Sequence, residues 1–367
     1  MAKSWLRKTG KKTFILFNLF VGVLFLIAAL SPFISPSKWW LHGFLALLTP
    51  FIILILLLFI LTWLIIRPLF AIIPALFLLI GFKQVKVLFA WNNTADFVKI
   101  KPDNNIRVVD WNIHGFNGVV YDADIRKKVR NELANSILKN KPDIICLQEF
   151  NTANNENNIE LFTQTHPFYY FSRDYAVGNG HYELGCIIFS KYKIIDSGRV
   201  AFPNDESIIF IDVRIASDTF RVFTTHLQSF KFQKGDYEDI RHIKESDAES
   251  ISASMSIMRK MKKAYKKRGI QADIVQKQLA KSPHPYIITG DFNDVPNSYT
   301  YFTIKKNLKD AFLEKGFGIG RSFVSLSPTL RIDYILAHPS FDITQFEMLD
   351  ESLSDHNMLM ADLHFKK

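Results

Sequence analysis

Cysteine is scarce in this chain: two in 367 residues, Cys146 and Cys186. Each lies in an apolar run, Ile144–Leu147 and Gly185–Phe189. Their spacing excludes a zinc site and leaves the redox compartment open. A redox pair or nucleophile is one reading; two small core residues is the simpler one. Acidic residues are nearly missing from the first hundred positions, where Asp96 stands alone against ten Lys and Arg. That segment therefore holds nine of the ten units of net positive charge, and residues 101–367 are close to neutral. The high pI belongs to the N-terminal region. A near-neutral remainder has no overall field to steer nucleic acid toward it. Also missing are a Ser-His-Asp elbow, a P-loop, zinc-finger spacing, internal repeats and low-complexity tracts.

Long apolar runs are present instead. Residues 14–34 and 44–66 carry no charge. Each is long enough to cross a bilayer core of about 30 Å as a helix rising 1.5 Å per residue. A third run, 69–82, is short. It reaches span length, 69–91, if Lys83 and Lys86 snorkel to the interface, and Pro74 is tolerable inside it. A cleaved signal peptide is disfavoured for the first run, because no small-residue cleavage site follows and further apolar runs come next. Lys3, Arg7, Lys8, Lys11 and Lys12 hold the N terminus in the cytoplasm. Trp39 and Trp40 suit the opposite interface. Three spans place the rest of the chain outside the cytoplasm and two keep it inside; three is the expectation. The chain reads as an integral, multi-pass protein of a bacterial-type cytoplasmic membrane, with residues 1–91 as an all-α membrane module. Residues 92–105, polar and carrying Pro102, read as a linker.

From residue 106 onward, apolar runs of strand length recur, as at 106–111, 144–147, 187–189, 208–213, 220–224 and 286–289. Helical stretches at 124–140 and about 237–281 lie between them. The mixture predicts an α/β domain over 106–367 with a sizeable core. In the second helix Ile251, Met255, Met258, Met261 and Tyr265 form an apolar stripe, and a basic run, Lys260 to Arg268, overlaps and follows it. That run reads either as a contact for anionic lipid or nucleic-acid phosphate, or as the solvated end of a helix packed on the sheet.

Polar islands end several of these runs. In order they are Asp110-Trp-Asn-Ile-His-Gly115, Leu147-Gln-Glu149, Thr224-Thr-His-Leu227, Thr289-Gly-Asp-Phe-Asn-Asp294, Arg331-Ile-Asp-Tyr-Ile-Leu336 and Ser354-Asp-His-Asn357. They supply carboxylates, carboxamides and histidines, the groups needed to bind a divalent cation and break a phosphate ester. Their order and residue types resemble the endonuclease/exonuclease/phosphatase superfamily, which includes deoxyribonuclease I, apurinic endonucleases, neutral sphingomyelinases and inositol polyphosphate 5-phosphatases. The resemblance covers roughly residues 104–365. It implies a deoxyribonuclease I-like two-sheet α/β sandwich with its active site on loops at one end.

The resemblance also implies roles. Glu149, closing a strand where an unpaired carboxylate would be costly, is implied as the principal metal ligand. Asn112 is implied to help hold metal and phosphate, and Asp355 to point to the metal. His114 stands where several nucleases of the family carry an acidic residue. Gly290 is expected to make a tight turn that aims Asp291 and Asn293 into one pocket while Phe292 faces the core. Asp291 is implied to orient or deprotonate the attacking water, and Asn293 to bind a phosphate oxygen. His356 is the expected acid–base histidine, with Asp333 fixing its tautomer. His226 is expected to donate to a phosphoryl oxygen or protonate the leaving group. The implied cofactor is Mg²⁺, with Mn²⁺ or Ca²⁺ as alternatives. The expected function is a membrane-anchored, metal-dependent phosphoesterase, more specifically a phosphodiesterase. Its expected partners are the bilayer and a phospholipid, sphingolipid or nucleic-acid substrate, with no obligate protein partner. The rival is a non-catalytic binding protein that kept the fold.

Overall fold

The computed structural model describes residues 2–92, 97–117, 123–178, 180–203, 206–232, 235–236 and 248–366. The N-terminal apolar runs are helical. Helix α1 spans Ala2–Ala29 and α2 spans Leu41–Ile66, each beginning earlier than its hydropathy alone indicates. Both are long and apolar enough to cross a membrane.

The third run is not the single helix expected over 69–91. A 3₁₀ turn, Pro68–Ala71, leads into α3 (Ile72–Ile80), and α4 (Phe82–Leu88) follows at a bend of 75°. The break falls at Gly81, a poor helix former. The segment nevertheless runs beside α1 in the same direction. Lys11 sits over the Phe70 ring, the Phe77 ring packs on Gly22, Gly81 packs on Phe25, and Gln84 reaches the Ala29 carbonyl and the Ser31 hydroxyl. A Cβ on Gly22 would lie 2.2 Å from the Phe77 ring, so the close approach needs glycine there. The helical rise from Lys11 to Ala29 is about 27 Å. The last two residues of the expected third span are docked on the domain, Ala90–Trp91 (β1) pairing with Phe317–Gly318 (β12), and Asn92, which opens the expected linker, donates to the Leu313 and Gly316 carbonyls.

The remaining strands form two sheets. One runs β14 (Phe341–Leu349), β15 (Met358–Phe365), β2 (Asn105–Asn112), β3 (Ile144–Ala153), β6 (Tyr182–Ser190) and β4 (Phe168–Phe171), with β5 (Tyr175–Val177) also on β6. The other runs β11 (Lys309–Asp310), β13 (Asp333–Ala337), β10 (Tyr286–Asp291), β9 (Asp218–His226), β8 (Ser207–Ile215) and β7 (Ile194–Ala201). Each sheet has one parallel pair at its centre, β2 with β3 and β9 with β10, and is otherwise antiparallel.

Alternation along the strands puts Val108, Ile144, Cys146, Cys186, Ile211, Val222 and Ile287 into the core between the sheets. Burial pushes both thiols above their ordinary value, which fits the core reading of the cysteines. Helix α5 (Ala123–Leu138) covers the outer face of the first sheet through Leu133, Ala134 and Ile137. The outer face of the second is covered by α6 (Ala248–Ala280), through Ala272, Val275 and Leu279, and by α7 (Tyr299–Lys305). The stretch 237–247, where α6 was expected to begin, lies outside the described residues. Buried bidentate pairs, Arg107–Asp362 and Arg221–Asp212, tie neighbouring strands.

The membrane module and the domain are in direct contact. Ser31 donates to the Asn297 carbonyl, Asn297 donates to Gln84, and Arg331 bridges Asp310 and the Val87 carbonyl. Gly43 packs under the Tyr265 ring, and Ala46 is buried among Val295, Phe323 and Ile332.

Candidate active site

The two central parallel pairs bring their C-terminal ends to the same edge of the sandwich. Asn112 ends β2, opposite Gln148 of β3, and His226 ends β9, opposite Asp291 of β10. Asp333 opens β13 directly across from Asp291. A cleft is lined at this end by His114, Glu149, His226, Asp291, Asn293, Asp355 and His356.

Local backbone geometry aims these groups. Glu149 lies at an irregularity in β3 between Leu147 and Phe150, with φ of 51°. A non-glycine residue in this left-handed region costs on the order of 1 kcal/mol. The bulge turns its carboxylate out of the strand into the cleft, where the side chain remains 32% exposed. Asn293, with φ of 53°, and His114, with φ of 45°, are held the same way. The turn expected at Gly290 is instead the penultimate residue of β10. Its φ is 136°, and a Cβ there would fall 2.0 Å from the Thr225 carbonyl oxygen of the parallel neighbour. The expected outcome holds all the same: Phe292 is wholly buried, and Asp291 and Asn293 line the cleft.

The side chains form one network. Asn112 Nδ2 donates to Glu149 Oε1 at 3.2 Å and to Asp291 Oδ2 at 3.0 Å, while its Oδ1 accepts the His114 N–H. Asn112 therefore bridges the two carboxylates, and its Oδ1 keeps a second lone pair. His226 Nε2 lies 3.7 Å from Glu149 and 3.6 Å from Asp291. Both Asp333 oxygens meet His356 Nδ1, at 3.1 and 3.0 Å. His356 Nε2 is left facing Asp291 at 3.8 Å and Asp355 at 3.9 Å. Ser322 fixes Asp333 by accepting its backbone N–H, and Trp111 donates to the His356 carbonyl. Asn293 Nδ2 donates to the Leu227 carbonyl, which leaves its second N–H.

Burial raises Asp291 to about 6, reinforced by Asp333 and opposed by His356, His226 and Asn112. Burial works to lower His356, but the carboxylates of Asp333 and Asp291 outweigh it and raise the imidazole to about 10. Burial also works to raise Glu149, and His226 and Asn112 overcome it to lower the carboxyl.

Among the described residues, Asp291, Asp333 and His356 bring ligand atoms within 4.8 Å of one another. His356 Nδ1 and Asp333 are engaged with each other, however. The oxygens turned into the cleft are those of Glu149, Asp291 and Asp355. This set fits a hard divalent cation, which prefers carboxylate oxygen and would neutralise two carboxylates bridged by one asparagine.

Residues 111–356 match the endonuclease/exonuclease/phosphatase family. The chain belongs to that family. Residues 11–88 match a domain of unknown function, and no curated protein matches the chain. Among solved structures, the human Nocturnin catalytic domain with a bound sulfate anion is 19% identical over 72% of this chain and 94% of that one, with a TM-score of 0.50. An endonuclease/exonuclease/phosphatase protein from Beutenbergia cavernae is 19% identical over 72% of each chain, at a TM-score of 0.47. A humanized TDP2 from D. rerio is 13% identical over 71% of this chain and 99% of that one, at 0.49. These likenesses concern the fold.

Every expected site residue of this family member lines the cleft or supports a residue that does. Two further residues there were not anticipated. Arg268 of α6 is buried, stacks against Tyr265 and Phe230, and lies 3.8 Å from Asp294. Its Nε and Nη2 have no hydrogen-bond partner among the described residues. The sequence hides it inside a basic run. The available signal was its phase, since Met261, Tyr265, Arg268, Ala272 and Val275 recur at three and four residues, so this arginine falls on the buried stripe. The second is Leu47, which comes from membrane helix α2.

Proposed function

We propose that this chain is a membrane-anchored, divalent-metal-dependent phosphoesterase of phosphodiesterase type. The observation that carries the reading is the convergence of Glu149, Asn112, Asp291, His226 and the Asp333–His356 pair at one sheet edge. Glu149, Asp291 and Asp355, the carboxylates that line the cleft, would hold the cation, Mg²⁺ first. The bound cation supplies charge neutralisation at the phosphoryl oxygens.

The remaining work falls to the chain's own groups. His356, held by Asp333 through Nδ1, turns Nε2 into the cleft and donates from it to a phosphoryl oxygen. That donation stabilises the transition-state phosphoryl group. Asp333 fixes the ring and balances its charge. Asp291, beside both imidazoles, orients the attacking water through a carboxylate oxygen and accepts its proton. His226 Nε2 is directed at the same space and donates to the leaving oxygen. The free N–H of Asn293 and the Nε–H and Nη2–H groups of Arg268 supply phosphate-binding donors.

The domain works on the side of the membrane opposite the basic N terminus. Three observations support this. The α1–α2 connection rests on the domain through Ser31 and through Ser35 against Gly269. The stretch from Arg67 to Leu88 then returns alongside α1, as one bent crossing. Finally, its C-terminal end meets the domain again through Val87. The chemistry is tested with the full chain in detergent, by p-nitrophenol release from bis(p-nitrophenyl) phosphate. Turnover that requires Mg²⁺ or Mn²⁺ and stops with chelator is expected. Turnover indifferent to chelator, or none with any divalent ion, contradicts the proposal.

A further inference from the structure

The cleft joins two kinds of lining. One is the polar network. The other is an apolar wall made by Leu47, Phe230, Phe232, Phe323, Leu326 and Leu330, which meets the network where the Phe323 ring packs on His356 at 4.9 Å. Leu47 is the decisive member, because it belongs to a helix that also crosses the membrane. The first turns of α2 are buried in the domain at His42, Gly43 and Ala46, and beyond them Leu48 and Phe51 are exposed along the span. The cleft therefore borders α2 where that helix passes from the domain into the lipid.

Nearby surfaces agree. Trp40 stacks under Lys262 of α6, which fixes α6 at the same level. Met255 and Met258, one to two turns earlier in α6, are 57% and 48% exposed. Exposed methionines beside a lysine-rich face suit the headgroup boundary of a bilayer. This also gives the basic run of α6 a location, beside anionic headgroups.

We propose that the substrate is a membrane lipid whose phosphoester sits at the headgroup, and that its chain lies along the Leu47–Leu330 wall while its phosphate reaches the polar end. The lipid enters sideways from the leaflet without leaving the bilayer. The proposal rests on the phosphoesterase reading and adds the substrate class. A single-stranded nucleic acid needs a cationic track along its backbone as well as aromatic platforms. The cleft offers the stacked Phe230–Phe232 pair, but its cationic lining is two residues, Lys231 and Arg268, and the domain has almost no net charge.

The test uses the full chain in detergent with p-nitrophenyl n-alkyl phosphates, from ethyl to decyl, below their micellar concentrations. All share one leaving group, so only the chain varies. Full burial is worth about fourfold per methylene; partial contact along the wall still gives at least a tenfold rise in kcat/KM from ethyl to decyl. Leu47→Asn and Leu326→Asn should each cut the decyl-to-ethyl ratio at least threefold. Leu326 is 39% exposed, so its replacement does not threaten folding. A flat chain-length series, or a ratio unchanged in Leu326→Asn, overturns the lipid proposal. So does a single-stranded oligonucleotide cleaved faster than the decyl ester. Failure to hydrolyse any diester, ethyl included, instead removes the phosphoesterase reading beneath it.

Discussion

His356 and Asp333 share two contacts and, on the proposed reading, one function. With both carboxylate oxygens on Nδ1, removing either residue disables the same imidazolium. Asp333→Ala and His356→Ala should each lower kcat/KM at least a hundredfold, and the double variant should be little worse than His356→Ala alone. Multiplicative losses in that double-mutant cycle would break the pairing. Away from the site, His166 offers a stability test. Its Nε2 lies 3.1 Å from the Pro142 carbonyl, and burial, helped by Lys191, lowers the ring to about 4. The unfolded chain protonates near 6.5, so stability is intact above that pH and falls as pH drops toward 4. Urea melts of the solubilised chain should show a loss of about 2 kcal/mol between pH 7 and pH 5, mostly absent in His166→Gln. An equal loss in both proteins would exclude His166 as the cause. Residue identity was legible at this scale, since each site group stands in a recognisable motif. The left-handed backbone of Glu149 was not, because nothing in Leu-Gln-Glu demands a bulge.

Strands β2, β3, β9 and β10 were visible as apolar runs, because residues buried on both faces leave near-continuous aliphatic sequence. Their pairing was not, and it took the family resemblance to supply it. Gly290 shows the limit well. Its place next to Asp291 suggested a turn, whereas the requirement is close approach between two parallel strands. Gly290→Ala should therefore separate β10 from β9, destabilise the chain by about 3 kcal/mol or more, and displace Asp291 from Asn112. A variant with unchanged melting behaviour and full activity would show that the β9–β10 contact tolerates a methyl group. The bend in the third apolar segment was hidden for the opposite reason. Hydropathy reports composition and length, and the 75° bend at Gly81 depends on packing against Phe25, which composition does not record.

As a whole, the molecule places the candidate cleft directly on the end of helices long and apolar enough to cross a membrane. Protease added to intact spheroplasts should release the domain beyond about residue 95, the result three crossings require. Protection until lysis would put the domain on the cytoplasmic side. Arg268 and Leu47 gain meaning only at this scale, because each joins the cleft through an element that sequence reading assigned to other work. The central claim, a cation held by Glu149 for phosphoester hydrolysis, is met most directly by comparing Glu149→Gln with wild type on bis(p-nitrophenyl) phosphate across a Mg²⁺ titration. The substitution keeps the volume and the hydrogen-bonding shape while removing the charge. We predict turnover reduced by at least a thousandfold, about 4 kcal/mol, with half-saturation moved to much higher Mg²⁺ and unfolding unchanged. Turnover within threefold of wild type at the same Mg²⁺ midpoint would contradict the account.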